Sequence, residues 1–119
     1  MGFTQPCFIR KNTPELINKL EKLGYKKNII YLEYEHNLYA GGGTYSSANF
    51  IDKYYFDCGN NEELFIALAA LRDNTNKKQY CIDSEGNWFL FNQTYVRLLS
   101  KTNVNWRKAT VKEIIEHFK

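Results

Sequence analysis

The sequence is poor in proline, glycine and cysteine, and it lacks a long apolar run. It holds two prolines, seven glycines and three cysteines in 119 residues, with 44% hydrophobic and 24% charged residues. This balance is typical of a packed globular chain and excludes a collagenous, low-complexity or disordered protein. The longest apolar run, residues 64–71, is far shorter than the ~20 residues of a membrane span. Residues 1–11 have no apolar stretch behind a basic start, so we expect no secretory signal.

The spacing of the few cysteines and histidines does not indicate a disulfide, metal or catalytic site. Cys7, Cys58 and Cys81 are odd in number and lack CxxC spacing, which argues against a disulfide framework and a zinc site. Each lies in an apolar or aromatic stretch, which favours buried thiols in a reducing cytoplasm. Cys58 precedes a helix start, but no phosphate-binding pattern follows it, so a structural thiol is favoured over a nucleophile. The two histidines are far apart. We therefore expect no metal, no cofactor and no catalytic residue, with an unrecognised enzyme as a less favoured alternative.

The excess of positive charge is small. Sixteen basic and 13 acidic residues give a formal net charge of +3, and the lysines are scattered along the chain. Nucleic-acid binding usually needs a concentrated basic stripe. The charge therefore argues against a nucleic-acid partner and is typical of a solvated surface.

The length of the chain suits one domain, residues 1–119. The sequence predicts three helix starts. Thr13 followed by Pro14 predicts a first helix that ends at Gly24. Asn60, with Glu63 three residues later, predicts a second helix whose apolar body, residues 64–71, is central in the fold. A third capping box begins at Thr110.

Strand patterns lie between these helices. Gly86 predicts the turn of a hairpin that joins residues 79–83 to residues 88–91. The short segment 95–99 is ambiguous between helix and strand, and we favour strand. Further strands are predicted at residues 7–9, 28–35 and 50–58. The fold class is therefore α+β, with a single mixed or antiparallel sheet of about five to six strands and three helices.

The glycine run Gly41–Gly43 lies within residues 38–49, a segment predicted as a flexible connection or a hairpin tip. The run lacks the spacing of a P-loop or a dinucleotide-binding turn. Two alternatives remain open: a plain connection between strands, and a flap over a ligand.

The best candidate for a ligand site is a pair of basic dipeptides. Arg10-Lys11 and Arg107-Lys108 each come directly before a helix start, where free N–H groups and the helix dipole favour an anion. If the two junctions are neighbours, these cations would form one phosphate site. The helix caps Thr13 and Thr110 would border this site, and Tyr45 or Trp106 would stack on a base.

Aromatic residues make up 16% of the chain, more than a core of this size needs. Surplus Tyr and Trp at a surface are typical of interfaces. We therefore predict a non-enzymatic binding protein that acts through protein–protein interaction. The alternative is a protein that sequesters a small phosphate-bearing nucleotide. Self-association stays open, and we expect no membrane partner.

Three stretches carry a resemblance to other proteins. Residues 6–25 (PCFIRKNTPELINKLEKLGY), 57–73 (DCGNNEELFIALAALRD) and 107–119 (RKATVKEIIEHFK) resemble small uncharacterised proteins of gut Bacteroidales, their prophages and mobile elements. The resemblance implies an accessory protein of a phage or mobile element, with anti-defence as a candidate role, in the cytoplasm of a bacterium or an infected host cell. It implies no activity and no site residue.

Overall fold

The structure, a computed structural model, describes residues 2–29 and 36–119 and confirms the α+β class. Four helices lie in these residues: α1 (Pro14–Leu23), α2 (Glu62–Ala69), α3 (Gln93–Lys101) and α4 (Val111–Phe118). The strands there are β1 (Cys7–Ile9), β2 (Lys26–Lys27), β3 (Asn37–Gly41), β4 (Thr44–Ala48), β5 (Phe56–Asp57), β6 (Tyr80–Asp83), β7 (Trp88–Leu90) and β8 (Trp106–Lys108).

These strands form two sheets, which corrects the prediction of a single sheet. The larger sheet has the order β2-β4-β3-β1-β5, with β1 antiparallel to β3 and parallel to β5. The smaller sheet, β7-β6-β8, is wholly antiparallel. The strands fall into two sheets because residues 58–79 leave the large sheet after β5 and form α2 and a long turn. The next strand, β6, then pairs in the small sheet.

Helix α2 occupies the centre of the core, as its apolar sequence predicts. Phe65 and Leu68 are fully buried, and α2 contacts β1, α1 and α4. From the small sheet, Tyr80 and Ile82 pack against the same core. Both sheets therefore share one hydrophobic core.

Capping residues set the helix ends. The Thr13 hydroxyl accepts the Leu16 N–H, and Gly24 closes α1 with a left-handed φ of 112°. Both bonds of the predicted capping box at Thr110 are present. The cap of α2 is Asn61, one residue later than predicted, because it is the Asn61 side chain that accepts the Leu64 N–H.

The strand predicted at residues 95–99 is wrong, since this segment lies in α3. Asn92 caps the helix by accepting the Tyr95 N–H, and Val96 and Leu99 are its buried residues. Their spacing of three places both on one helical face. α3 is therefore a fourth helix beside the three that were predicted.

The other strand predictions have mixed outcomes. The hairpin around Gly86 is confirmed, with Gly86 at a φ of 88°. Residues 38–49 are largely a hairpin of β3 and β4 that turns at Gly42 and Gly43, while only residues 56–57 of the predicted strand 50–58 pair in a sheet. In the segment 28–35, Asn28 and Ile29 follow β2 outside any strand, and residues 30–35 lie outside the described residues.

Candidate functional site

Two strand-to-helix junctions meet at one edge of the large sheet. Because β1 and β5 are parallel neighbours, the N-termini of α1 and α2 follow the same sheet edge. There the Arg10 guanidinium forms a two-pronged ion pair with the Asp57 carboxylate, which also accepts the Gly59 N–H. The hydrogen bond from Arg10 lowers the pKa of Asp57 below its usual range. A carboxylate of this chain already holds the planar arginine fork that would suit a phosphate.

The neighbouring cation and the helix caps at this edge are also engaged. Lys11 Nζ lies 2.8 Å from Glu62 Oε2, and this hydrogen bond lowers the pKa of Glu62. The Thr13 hydroxyl is occupied by its role as the α1 cap. Asn61 caps α2, and its Nδ2 donates to the Phe118 carbonyl at 2.6 Å.

The second basic pair lies at the opposite end of α2. Lys108 Nζ donates to the carbonyls of Arg72 and Thr75, just beyond the C-terminus of α2. Lys11, by contrast, contacts the first residue of that helix, and eight helical residues span about 12 Å. The structure therefore does not bring the two basic pairs into one site.

Arg107 is paired within its own junction. Two of its guanidinium nitrogens donate to the Glu113 carboxylate, each at 2.7 Å, and the Thr110 N–H also donates to that carboxylate. These bonds lower the pKa of Glu113 to about 2. Arg107 therefore binds the carboxylate of the α4 capping box and is engaged within the chain.

The two aromatic residues of the predicted site lie apart in the fold. Tyr45 is buried, with 2% of its surface exposed, and its hydroxyl donates to Glu21 at 2.7 Å. Trp106 is half-buried in β8, with its ring 5.6 Å from that of Phe91. The Trp106 side chain lines two cavities.

Three large apolar side chains are exposed in a segment that the sequence predicts as a strand. Residues 49–55, here called the 49–55 loop, connect β4 to β5. Phe50, Ile51 and Tyr54 are 66%, 53% and 79% exposed. Aromatic and β-branched residues are enriched in strands, which is why this composition led to a strand prediction.

Buried side chains hold the backbone of the 49–55 loop. The Tyr39 hydroxyl donates to the Phe50 carbonyl at 2.6 Å and accepts the Asp52 N–H at 3.0 Å. The Asn37 amide donates to the same carbonyl, and the Tyr55 ring meets Tyr39 edge-on at 5.0 Å. The loop is therefore fixed at its base while its apolar side chains face solvent.

The cysteines lie in the core. Cys7, Cys58 and Cys81 are free thiols and are at most 5% exposed. A hydrogen bond with Cys58, together with burial, raises the pKa of Cys7 well above its usual range, and burial raises that of Cys81. A thiol with a raised pKa holds little of the reactive thiolate, so the geometry supports the structural interpretation for these two residues.

In residues 2–29 and 36–119, no three His, Cys, Asp or Glu side chains lie close enough together to hold a metal ion. Within the same ranges, no helix has both the length and the apolar character to cross a membrane.

Comparisons of the whole chain with protein-family models, with curated proteins and with solved structures gave no match.

Proposed function

We propose that this protein is a non-enzymatic binding protein that recognises another protein through the 49–55 loop. The observation that carries the proposal is the exposure of Phe50, Ile51 and Tyr54 on a backbone that Tyr39 and Asn37 hold in place. Large aromatic and aliphatic anchors dominate the energetics of protein interfaces. A loop that is already ordered loses less entropy on binding, which favours affinity.

The side chains of the loop indicate what kind of partner surface would bind them. Asp52 accepts the Tyr54 N–H with its carboxylate, so this charge is engaged within the loop. Lys53 is the cation of the loop, and its Nζ lies 5.4 Å from the centre of the Tyr54 ring. The complementary surface is a concave apolar patch on a protein, with a carboxylate near its rim to face Lys53.

We infer a cytoplasmic location from the cysteines and the resemblance. Three buried free thiols suit a reducing cytoplasm. If the chain is an accessory protein of a phage or mobile element, the partner is a protein of the host cell, and a defence protein is the first to examine.

The alternative, sequestration of a phosphate-bearing nucleotide, has less support. Arg10, Lys11 and Arg107 each bind a carboxylate of this chain, and Lys108 binds two carbonyls. A phosphate would have to displace an internal partner at every one of these cations.

Affinity capture tests the proposal. The tagged protein is incubated with a lysate of the organism that encodes it, and retained proteins are quantified by mass spectrometry. The loop variant Phe50→Ser/Tyr54→Ser removes two anchors. The matched control, Leu98→Ser, removes a side chain of α3 that is 55% exposed. We expect a partner that the wild type and the control retain and that the loop variant loses by more than about tenfold.

Two results would contradict this proposal. One is a loop variant that folds normally and retains the same proteins as the wild type. The other is that no protein is captured, while the wild type binds anionic phospholipid vesicles and the loop variant does not. The loop would then be a membrane anchor.

The nucleotide alternative has its own test. A ligand at 100 times its Kd would stabilise the fold by about 2.7 kcal/mol, which a thermal shift detects.

A further inference from the structure

Strand β7 is an open edge of the small sheet. The order β7-β6-β8 gives it a single neighbour, with which it pairs in an antiparallel register. The Phe91 N–H donates to the carbonyl of Gln79, directly before β6. Since bonded and non-bonded residues alternate in such a ladder, the N–H and C=O groups of Trp88 and Leu90 point away from β6. These groups make no hydrogen bond to another described residue, so β7 can accept one more strand.

An apolar cleft adjoins this edge on the face of the sheet that meets the core. Tyr80 and Leu90 are opposite each other in the ladder, so their side chains share one face. Tyr80 packs against the core, whereas Leu90 is 51% exposed. Both line a cavity of 260 Å³, here called the β7 cleft, whose other apolar walls are Leu23 of α1 and Ile66 of α2.

The β7 cleft has room for one large side chain. A dry cavity of about 150 Å³ is enough to bind benzene in another protein, and the β7 cleft has 260 Å³. In a strand added to β7, a residue opposite Leu90 presents its side chain on the same face as Leu90. A single extended segment therefore both pairs with the open backbone and fills the cleft.

The charges at the rim of the β7 cleft indicate the charge of its occupant. Lys19 of α1 and Lys78, shortly before β6, both line the cleft, and neither forms an ion pair with a described residue. Of the two glutamates that line it, Glu62 is bound by Lys11, and Glu63 is exposed. The two lysines outnumber the one glutamate that has no ion-pair partner in the described residues. This excess of positive charge favours a carboxylate beside the apolar side chain of the occupant.

We propose that β7 and its cleft bind an extended peptide segment of another protein by strand addition. The segment bonds the backbone of Trp88 and Leu90, one of its large apolar side chains fills the β7 cleft, and a neighbouring carboxylate faces Lys19 and Lys78. In this mode of recognition, main-chain hydrogen bonds give affinity, and pockets for alternate side chains give specificity. The site shares no residue with the 49–55 loop and does not depend on the function proposed for that loop.

A second copy of the chain fits this edge less well than a peptide does. Its own β7 would present Trp88 and Leu90 on the cleft face. In each copy, however, the Trp88 ring stacks on the His117 ring with centroids 3.9 Å apart, and Leu90 lines its own cleft. Neither side chain is available to fill the cleft of the other copy.

Peptide selection on the full chain tests the proposal. A library of random heptapeptides is selected on the immobilised protein, and the most enriched sequence is synthesised and titrated by NMR. We expect it to hold a large apolar residue close to an acidic one, and to slow hydrogen exchange at the Trp88 and Leu90 amides. Replacing that apolar residue of the peptide by alanine should weaken binding by more than about tenfold.

N-methylated versions of the same peptide test the strand pairing. In an added strand every second N–H points towards β7, so N-methyl groups on one alternate set of nitrogens should abolish binding. N-methyl groups on the other set should be tolerated.

One charge reversal in the protein tests the rim of the cleft. Lys19→Glu should weaken binding of the peptide by at least about threefold. Lys112→Glu, at an exposed position of α4 that does not line the cleft, is the matched control and should bind as the wild type does.

Several results would overturn the proposal. They are a selection that enriches no peptide, equal binding by both N-methylated sets, equal binding by Lys19→Glu and Lys112→Glu, and peptide-induced shifts in the 49–55 loop in place of Leu90. Analytical ultracentrifugation of the protein alone covers the remaining occupant. A dimer whose formation protects the Leu90 amide would assign the edge to a second copy instead.

Discussion

Each arginine that precedes a helix in the predicted site has a carboxylate partner nearby. Arg10 reaches Asp57 on the adjacent strand, and Arg107 reaches Glu113 in the first turn of α4. A cation at a helix N-terminus opposes the helix dipole, and the carboxylate beside it reverses that effect. The basic pairs were therefore correctly located at strand-to-helix junctions, but their partners lie at positions that spacing alone does not reveal.

The Glu113 carboxyl provides a pH-dependent test of this pairing. Its pKa in the folded chain is about 2, against about 4.3 in an unfolded chain. Since folding lowers the pKa, the stabilisation is present above pH 4.3 and is lost as the pH falls towards 2. We expect an NMR titration of the Glu113 carboxyl to give a midpoint well below 4.3. Arg107→Gln should return the midpoint towards the ordinary value, and an unchanged midpoint would contradict the pairing.

Among the helices and strands, the predictions that the structure confirms are those that depend on residues close together in sequence. Thr13 with Pro14, and the box at Thr110, start α1 and α4 because a cap needs only residues within one turn. α3 was mistaken for a strand because its aromatic and branched residues suit a pleated surface equally well. Its helical state depends on the Asn92 cap and on the burial of Val96 and Leu99 along one face.

Sheet membership could not be predicted in the same way. The division into two sheets is set by partners far apart in sequence, such as Cys7 with Ala40 and Cys81 with Lys108. The candidate surface has the same origin. The backbone of the 49–55 loop is held by Tyr39, which lies on β3 in the middle of the large sheet.

Helix α2 is the element on which the core depends most. Leu68 is fully buried there, so Leu68→Ala should lower the free energy of unfolding by about 2–5 kcal/mol. Leu98→Ala, on the exposed face of α3, is the control and should change the same quantity by less than about 0.5 kcal/mol. Urea denaturation measures both changes. Similar values for the two variants would show that α2 is not the centre of the core.

At the scale of the whole molecule, the fold is long for its size. The Cα atoms extend over 50 × 24 × 22 Å, with a radius of gyration of 15.3 Å, where a compact chain of this length has about 13.5 Å. Even so, α2 and α4 pack against each other in a core that also receives Ile9 from the large sheet and Ile82 from the small one. The shared core makes the two sheets one cooperative unit.

Cooperativity of this kind predicts a single unfolding transition. Both tryptophans lie in the small sheet, at positions 88 and 106, so fluorescence reports on that sheet. Circular dichroism in the far ultraviolet reports on all the helices. We expect the two signals to give the same urea midpoint, as a two-state chain does. An earlier midpoint for fluorescence would mean that the small sheet unfolds independently of the rest.

Hydrogen exchange at the Asp52 amide tests most directly whether the 49–55 loop is a preformed binding surface. This N–H donates to the buried Tyr39 hydroxyl, so we expect it to exchange slowly in the free protein. Tyr39→Phe should accelerate that exchange by about fivefold, the ratio for about 1 kcal/mol. The Cys58 amide, which bonds the Phe8 carbonyl, should be unaffected. Exchange at the rate of an unstructured peptide in the wild type would contradict a fixed loop and, with it, the proposed mode of binding.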